Sequence, residues 1–229
     1  MANILENTMN GNIINIFTNL NTETTNGMLS QLVQWVEALP DKDCSVKTHS
    51  SFDGNDDDDF YIIGEKEESV NRPKLKVYIN SDGGSNYIMR SILNMFYIAK
   101  IRGAIIETYN IGRANSASSM IAVSGTPGHR YMNEYATHTI HYGKSSCEIN
   151  HPDEAKFAIK DFNNVVNMVY DIYLSNTKLT KKDLSKYLRI EGSGQLSAKE
   201  CLQKGVCDYV ITKHKITHSI ADLKRYTSR

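Results

Sequence analysis

The chain has 229 residues, with 40% apolar and 23% charged positions, the profile of a soluble globular protein able to bury a sizeable core. Its 26 basic and 26 acidic side chains balance, which excludes a general field for collecting nucleic acid or an anionic membrane surface. No apolar run reaches the roughly 18 residues of a membrane-spanning helix, and the first residues lack the basic-then-apolar order of a secretory signal.

Residues 1–12 read as a polar, flexible N-terminus. Ile13, Ile14, Ile16 and Phe17 make a short strand, and residues 18–26 are turn-rich. Met28, Leu29, Leu32, Val33, Val36 and Leu39 then recur at helical spacing, and Pro40 closes that segment. Residues 44–71 differ in kind. They hold Asp56-Asp57-Asp58-Asp59 and Glu65-Lys66-Glu67-Glu68 among few core residues, so an exposed acidic loop is expected, with a small hairpin near Phe60 to Ile63. The ligand spacing of a calcium loop is absent.

Leu75 to Asn80 reads as a strand, Ser81 to Ser85 as a glycine turn and Tyr87 to Ala99 as an apolar helix. Ala104 to Ile111 is a second strand, Ala117 to Ser124 a short buried helix, Gly125 to Gly128 a turn and Thr137 to His141 a further strand. Such alternation predicts parallel βαβ units in a layered α/β fold. A long helix follows over Pro152 to Ser175, with the stripe Phe157, Phe162, Val165, Val166, Val169 and Ile172. Capping-box patterns at Thr180 and Ser197 open two more helices, Gly205 ends the last, and Tyr209 to Ile211 makes a final strand. Residues 213–229 form a basic tail. Cys44, Cys147, Cys201 and Cys207 lack close CxxC pairing, which favours free thiols and a reducing, cytoplasmic compartment.

The chemistry concentrates at Gly112-Arg113-Ala114-Asn115-Ser116, followed 25 residues after Ser116 by His141. A serine at a strand-to-helix turn projects its hydroxyl beside helix N–H groups that have no intrahelical partner. A nucleophile and anion-stabilising donors thus coincide, and a histidine on a neighbouring strand end can take the hydroxyl proton. Ser, Ala and Gly at such a junction are also ordinary turn residues. Gly83-Gly84, at the end of a parallel strand, lets the backbone approach a substrate. The amides of Gly84 and Ala117 would together form a two-donor oxyanion hole. His138, an odd number of residues before His141, faces the other side of its strand and reads as structural, and Ser118 and Ser119 read as helix-packing residues.

Ile79-Asn80-Ser81-Asp82-Gly83-Gly84, Gly112-Arg113-Ala114-Asn115-Ser116 and Thr139-Ile140-His141 resemble, in order and, apart from a few extra residues between the first two, in interval, three signatures of the Clp protease proteolytic subunit. Leu196 to Cys201 with Gly205 to Asp208 resemble that family's closing helix and strand. The resemblance spans most of residues 13–212 and leaves the acidic segment as an insertion. It implies the layered βαβ superhelix shared with crotonases, with residues 152–175 as a long "handle" helix through which heptameric rings meet. It implies Ser116 as nucleophile, His141 as general base, and Gly84 and Ala117 as oxyanion donors. It also implies a serine endopeptidase acting on unfolded polypeptides in a chamber fed by an ATP-driven AAA+ unfoldase. No metal, nucleotide or other cofactor is expected on this chain.

Three departures stand out. Asp82 replaces the family's usual proline. The third triad carboxylate falls on Glu191 when counted from the preceding helix and on Ser193 when counted back from Leu196; Glu191 is preferred, because a carboxylate stabilises the imidazolium. Tyr142 follows His141 where the family usually has glutamine, and no arginine matches its ring–ring partner, so a single heptamer is as consistent as a double ring. A catalytically impaired ring subunit is the alternative function, and an acyl-CoA-handling crotonase-type enzyme a third.

Overall fold

The computed structural model describes residues 6–40, 72–141, 151–188 and 194–224. The acidic segment 44–71, Tyr142, Cys44, Cys147, Glu191, Ser193 and the end of the basic tail lie outside the described residues.

The fold grows from a strand whose alternation is plain in the sequence. In β3 (Lys74–Ser81), Leu75, Val77, Ile79 and Ser81 are buried while Lys76 and Tyr78 are half-exposed, the two-residue period of a strand with two different faces. β2 (Ile13–Ile16), β3, β4 (Ile105–Asn115), β5 (Arg130–Asn133) and β8 (Tyr209–Ile211) follow one another in parallel. β1 (Thr8–Asn10) adds antiparallel to β2 and β9 (Ile216–Thr217) antiparallel to β8. β6 (Thr137–Ile140) pairs in parallel with the far end of β4, and β7 (Gly194–Ser197) runs antiparallel on β6. The layered α/β architecture read from the sequence is the one the chain adopts.

Helices cover the buried face. α1 (Thr22–Glu37) contributes Met28, Leu32 and Val36, and α2 (Asn86–Ile101) contributes Ile88, Met89, Ile92, Leu93, Phe96 and Ala99. α3 (Ala117–Val123) is buried throughout. α1 begins at Thr22, earlier than the apolar spacing indicates, because Asn21 caps it by accepting from Thr24 N at 2.8 Å. Residues 8–10, which read as loose, form β1. Asn7 anchors that hairpin: its buried side chain accepts from Phe17 N and Thr18 N and donates to Thr25 Oγ1. The tail likewise supplies β9 and α7 (Ile220–Lys224).

The handle helix, α4 (Pro152–Asn176), starts with a capping box between His151 and Glu154. Its apolar stripe divides. Val169 and Ile172 are buried, with Tyr173 beside them, Phe162, Val165 and Val166 are half-buried, and Phe157 is 74% exposed, so burial falls off toward the stripe's N-terminal end. α5 (Lys181–Tyr187) and α6 (Ala198–Gln203) carry the capping boxes expected at Thr180 and Ser197. Cys201 and Cys207 are buried free thiols.

On the opposite sheet face the parallel register aligns Tyr78, Tyr109, Tyr131 and Tyr209 side by side. Their rings stack at centroid separations of 4.9, 4.7 and 5.3 Å.

An ion pair between buried Arg130 and half-buried Asp208 locks the far side of the sheet. Arg130 Nε and Nη2 donate to Asp208 at 2.9 and 2.6 Å, and its Nη1 donates to Asn176 O at the end of α4. Burial pushes the Asp208 carboxyl up, but the Arg130 guanidinium and the amides of Arg130 and Gly128 outweigh it and hold the group below the usual carboxylate range. A depressed folded pKa contributes stability above the unfolded value near 4 and loses it as pH falls further. Arg130→Met should cost about 1.5–3 kcal/mol, since it removes charge-assisted bonds from a half-buried carboxylate that keeps only two backbone amides, and Asp208→Asn should flatten the acid limb of the stability curve. Denaturant melts between pH 3 and 7 check both; unchanged midpoints for Arg130→Met would contradict the assigned role.

Candidate active site

β4 forks its partners, and the fork makes the site. Its residues Thr108, Tyr109 and Asn110 pair with β5, then Arg113, Ala114 and Asn115 pair with β6. The register against β3 shifts between Ile79 and Ser81, where β4 carries extra residues. β3, β4 and β6 therefore end beside one another, at the carboxyl edge where parallel sheets expose their binding crevices.

Ser116 sits between β4 and α3 with φ 53° and ψ −126°, the one non-glycine positive φ among the described residues. A conformation this sparsely populated costs about 1–3 kcal/mol and persists only where its surroundings impose it. Here Ser116 N donates to Thr139 O of β6 at 3.1 Å, and Ser116 O accepts from Ser119 N at 3.0 Å. Ser116 occupies the N-cap position of α3 but makes no side-chain cap hydrogen bond, so its hydroxyl is left for other use. The local bracing comes from Ser118, whose buried Oγ donates to Ser81 O at 2.9 Å or Asn115 O at 2.8 Å and accepts from Asn115 N at 3.0 Å.

The glycine turn packs directly against this elbow. Gly83 and Gly84 have φ of +100° and +135°, values open in practice to glycine alone. A Cβ on Gly83 would stand 2.7 Å from Ser116 Cβ and 2.9 Å from Ala117 N, and one on Gly84 would stand 2.4 Å from Leu20 O. Leu20 pairs with Gly84 through its neighbours, donating to Gly83 O and accepting from Ser85 N, each at 2.7 Å. In that pairing the N–H of Gly84 itself points away from Leu20. Ala117 N is the first amide of α3 and has no intrahelical acceptor. Asp82, exposed in the same turn, accepts from Asn115 Nδ2 at 3.1 Å and from Arg113 Nη1 at 3.2 Å. These bridges tie the glycine turn to the serine strand at the position where the family usually has proline.

His141 follows β6 directly and is half-buried. It lies two residues past Thr139, whose carbonyl holds Ser116 N, a step of roughly 7 Å along an extended chain. Among the described residues no hydrogen bond joins Ser116 Oγ to His141. The first described residue after Glu191 and Ser193, Gly194, pairs with Ile140 beside His141.

His138 is buried on the other face of β6, and its Nε2 lies 2.9 Å from Tyr173 Oη of α4. Burial pushes its ring down to about 3, so it is neutral at physiological pH. Tyr173 is a site-supporting residue that spacing alone did not single out; Ser118 and Asp82, which the sequence marks as a helix-packing residue and a departure from the family pattern, also brace the site. The one signal for Tyr173 was the buried register of its partner His138.

Fold and elbow together define a layered α/β protein with a strained serine at a strand–turn–helix junction. The Clp protease family model matches residues 65–214, about two thirds of the chain, and the chain belongs to that family. It is similar to the ATP-dependent Clp protease proteolytic subunit 4 of Streptomyces avermitilis, 26% identical over 145 residues. It is also similar to proteolytic subunit 2 of Streptomyces coelicolor, at 25% over 145 residues, and of Leifsonia xyli subsp. xyli, at 28% over 143. These matches cover 62–63% of this chain and span a little under two thirds of the relatives' own lengths, at 62%, 64% and 61%. Among the described residues no helix is long and apolar enough to cross a membrane.

Proposed function

We propose that the chain is a serine-type endopeptidase subunit that assembles into a ring-shaped proteolytic chamber. The observation that carries this reading is Ser116: a strained, half-buried serine whose hydroxyl is not spent on capping its own helix, packed against two positive-φ glycines. Ser116 Oγ attacks the scissile carbonyl carbon while His141 takes its proton. The oxyanion accepts from Gly84 N–H and Ala117 N–H. As the intermediate collapses, the C–N bond breaks and His141 returns the proton to the leaving amine; water then releases the acyl group by the reverse sequence. We assign Glu191, with Ser193 as the alternative position, to hold the His141 tautomer; both precede in the chain Gly194, which pairs with Ile140.

Assembly into a heptameric ring or double ring is supported by Phe157 and Ile159 on the handle helix, large apolar side chains exposed among the described residues. The relatives are named as ATP-dependent subunits, and we extend that to an AAA+ unfoldase supplying unfolded polypeptide to a cytoplasmic chamber.

A fluorophosphonate probe tests the reading on the purified full-length chain. Stoichiometric labelling mapped to Ser116, with a native mass of seven or fourteen copies, is the expected result. An unlabelled assembly of normal mass would instead support a catalytically impaired ring subunit.

A further inference from the structure

We infer that Tyr173 is a positioning residue for the oxyanion hole, acting through Ser119 on the peptide that links Ser116 to Ala117. The inference rests on Ser116 being the nucleophile. It starts from a buried polar chain that the reaction itself does not use. Tyr173 Oη lies 2.7 Å from Ser119 Oγ, which lies 2.6 Å from Ser116 O. At the other end His138 Nε2 reaches Tyr173 Oη at 2.9 Å. His138, Ser119 and Tyr173 are each at most 1% exposed.

The direction of the chain follows from its last acceptor. A carbonyl oxygen can only accept, so the single hydroxyl proton of Ser119 goes to Ser116 O. Tyr173 must then donate to Ser119, and His138 must donate from Nε2 to Tyr173. Every proton in the row is committed.

Planarity of the peptide bond turns this into a statement about the site. Ser116 C=O and Ala117 N–H belong to one rigid trans unit and point in opposite directions. Fixing the carbonyl from below, by Ser119 N and Oγ, aims the amide from above. The backbone here is in a sparsely populated region, so an unanchored peptide has a lower-energy orientation to rotate toward. Tyr173 comes from α4, outside the strands that carry the serine and the histidine, and is one of the largest fully buried side chains.

The test measures kcat and KM on a fluorogenic peptide amide, together with the rate of fluorophosphonate labelling, for the full chain and three variants. Tyr173→Phe keeps the ring and removes the hydroxyl; Ser119→Ala removes the relay. Each should lower kcat and the labelling rate roughly five- to tenfold, a fraction of the about 10²–10³ lost with a whole oxyanion donor, at a KM within about twofold of wild type. Because the groups act in series, the double variant should be no slower than Ser119→Ala alone. A lowered melting temperature with intact kcat, or losses that multiply in the double variant, overturns the positioning role. Should Tyr173→Phe fail to fold, Ser119→Ala with wild-type kcat has the same force. Labelling of wild type and variants at equal rates overturns this inference alone, whereas an unlabelled wild type overturns the nucleophile assignment and this inference with it.

Discussion

Ser116→Ala should abolish fluorophosphonate labelling and lower peptide hydrolysis by about 10⁶, leaving only the acceleration that binding and the oxyanion amides supply. The fold should survive. The hydroxyl makes no cap hydrogen bond, alanine has the same backbone preferences at φ 53°, and the bracing bonds of this residue all run through its backbone. A stability change within about 0.5 kcal/mol is expected, as for substitutions that remove no buried contact. His141→Ala should produce a loss of similar size, and the double variant should be no slower than either single one, because nucleophile and base act as one unit. Residual turnover above about one part in a hundred in Ser116→Ala would point to a different nucleophile. Multiplicative losses would separate the two residues mechanistically.

Gly84→Val should injure stability and rate together. Its φ of +135° is a glycine conformation and its Cβ would stand 2.4 Å from a backbone oxygen of Leu20, so neither a rotamer change nor a flexible neighbour can relieve the clash. The strain alone is of order 1–3 kcal/mol. Any relaxation of the turn also moves the Gly84 amide, and losing one oxyanion donor lowers kcat by about 10²–10³. Gly27→Ala is the matching control: it lies inside α1 with open space around the added methyl, and should stabilise by about 0.5–1 kcal/mol without touching the rate. Denaturant midpoints and kcat for the two variants decide the matter. A Gly84→Val protein with full kcat would remove the glycine turn from the proposed mechanism.

The parts of the fold legible in the chain were those dictated by short-range periodicity. Leu75, Val77 and Ile79 alternate, and α2 repeats its apolar residues at helical spacing, so β3 and α2 could be placed from local pattern alone. The handle helix and the capping boxes at Thr180 and Ser197 carry their end signals in the sequence. β1 escaped because Thr8-Met9-Asn10 has no apolar alternation. It is held by pairing to β2 and by the buried side chain of Asn7, interactions with no local signature. β5 was missed for a related reason: Arg130 is buried in it only because Asp208, far along the chain, neutralises the charge.

The site divides along the same line. Residue types and intervals singled out Ser116, His141, Gly84 and Ala117, since a nucleophile elbow and a glycine turn are local conformations encoded within a few residues. Only the tertiary structure decided that β3, β4 and β6 end together, that Asp82 bridges to Asn115 and Arg113, and that Tyr173 reaches Ser119 from a separate helix. The physical reason is that a strained serine is chosen locally but stabilised remotely. The sequence by itself determined where the elbow would be, and long-range pairing and buried hydrogen bonds decided what holds it in shape.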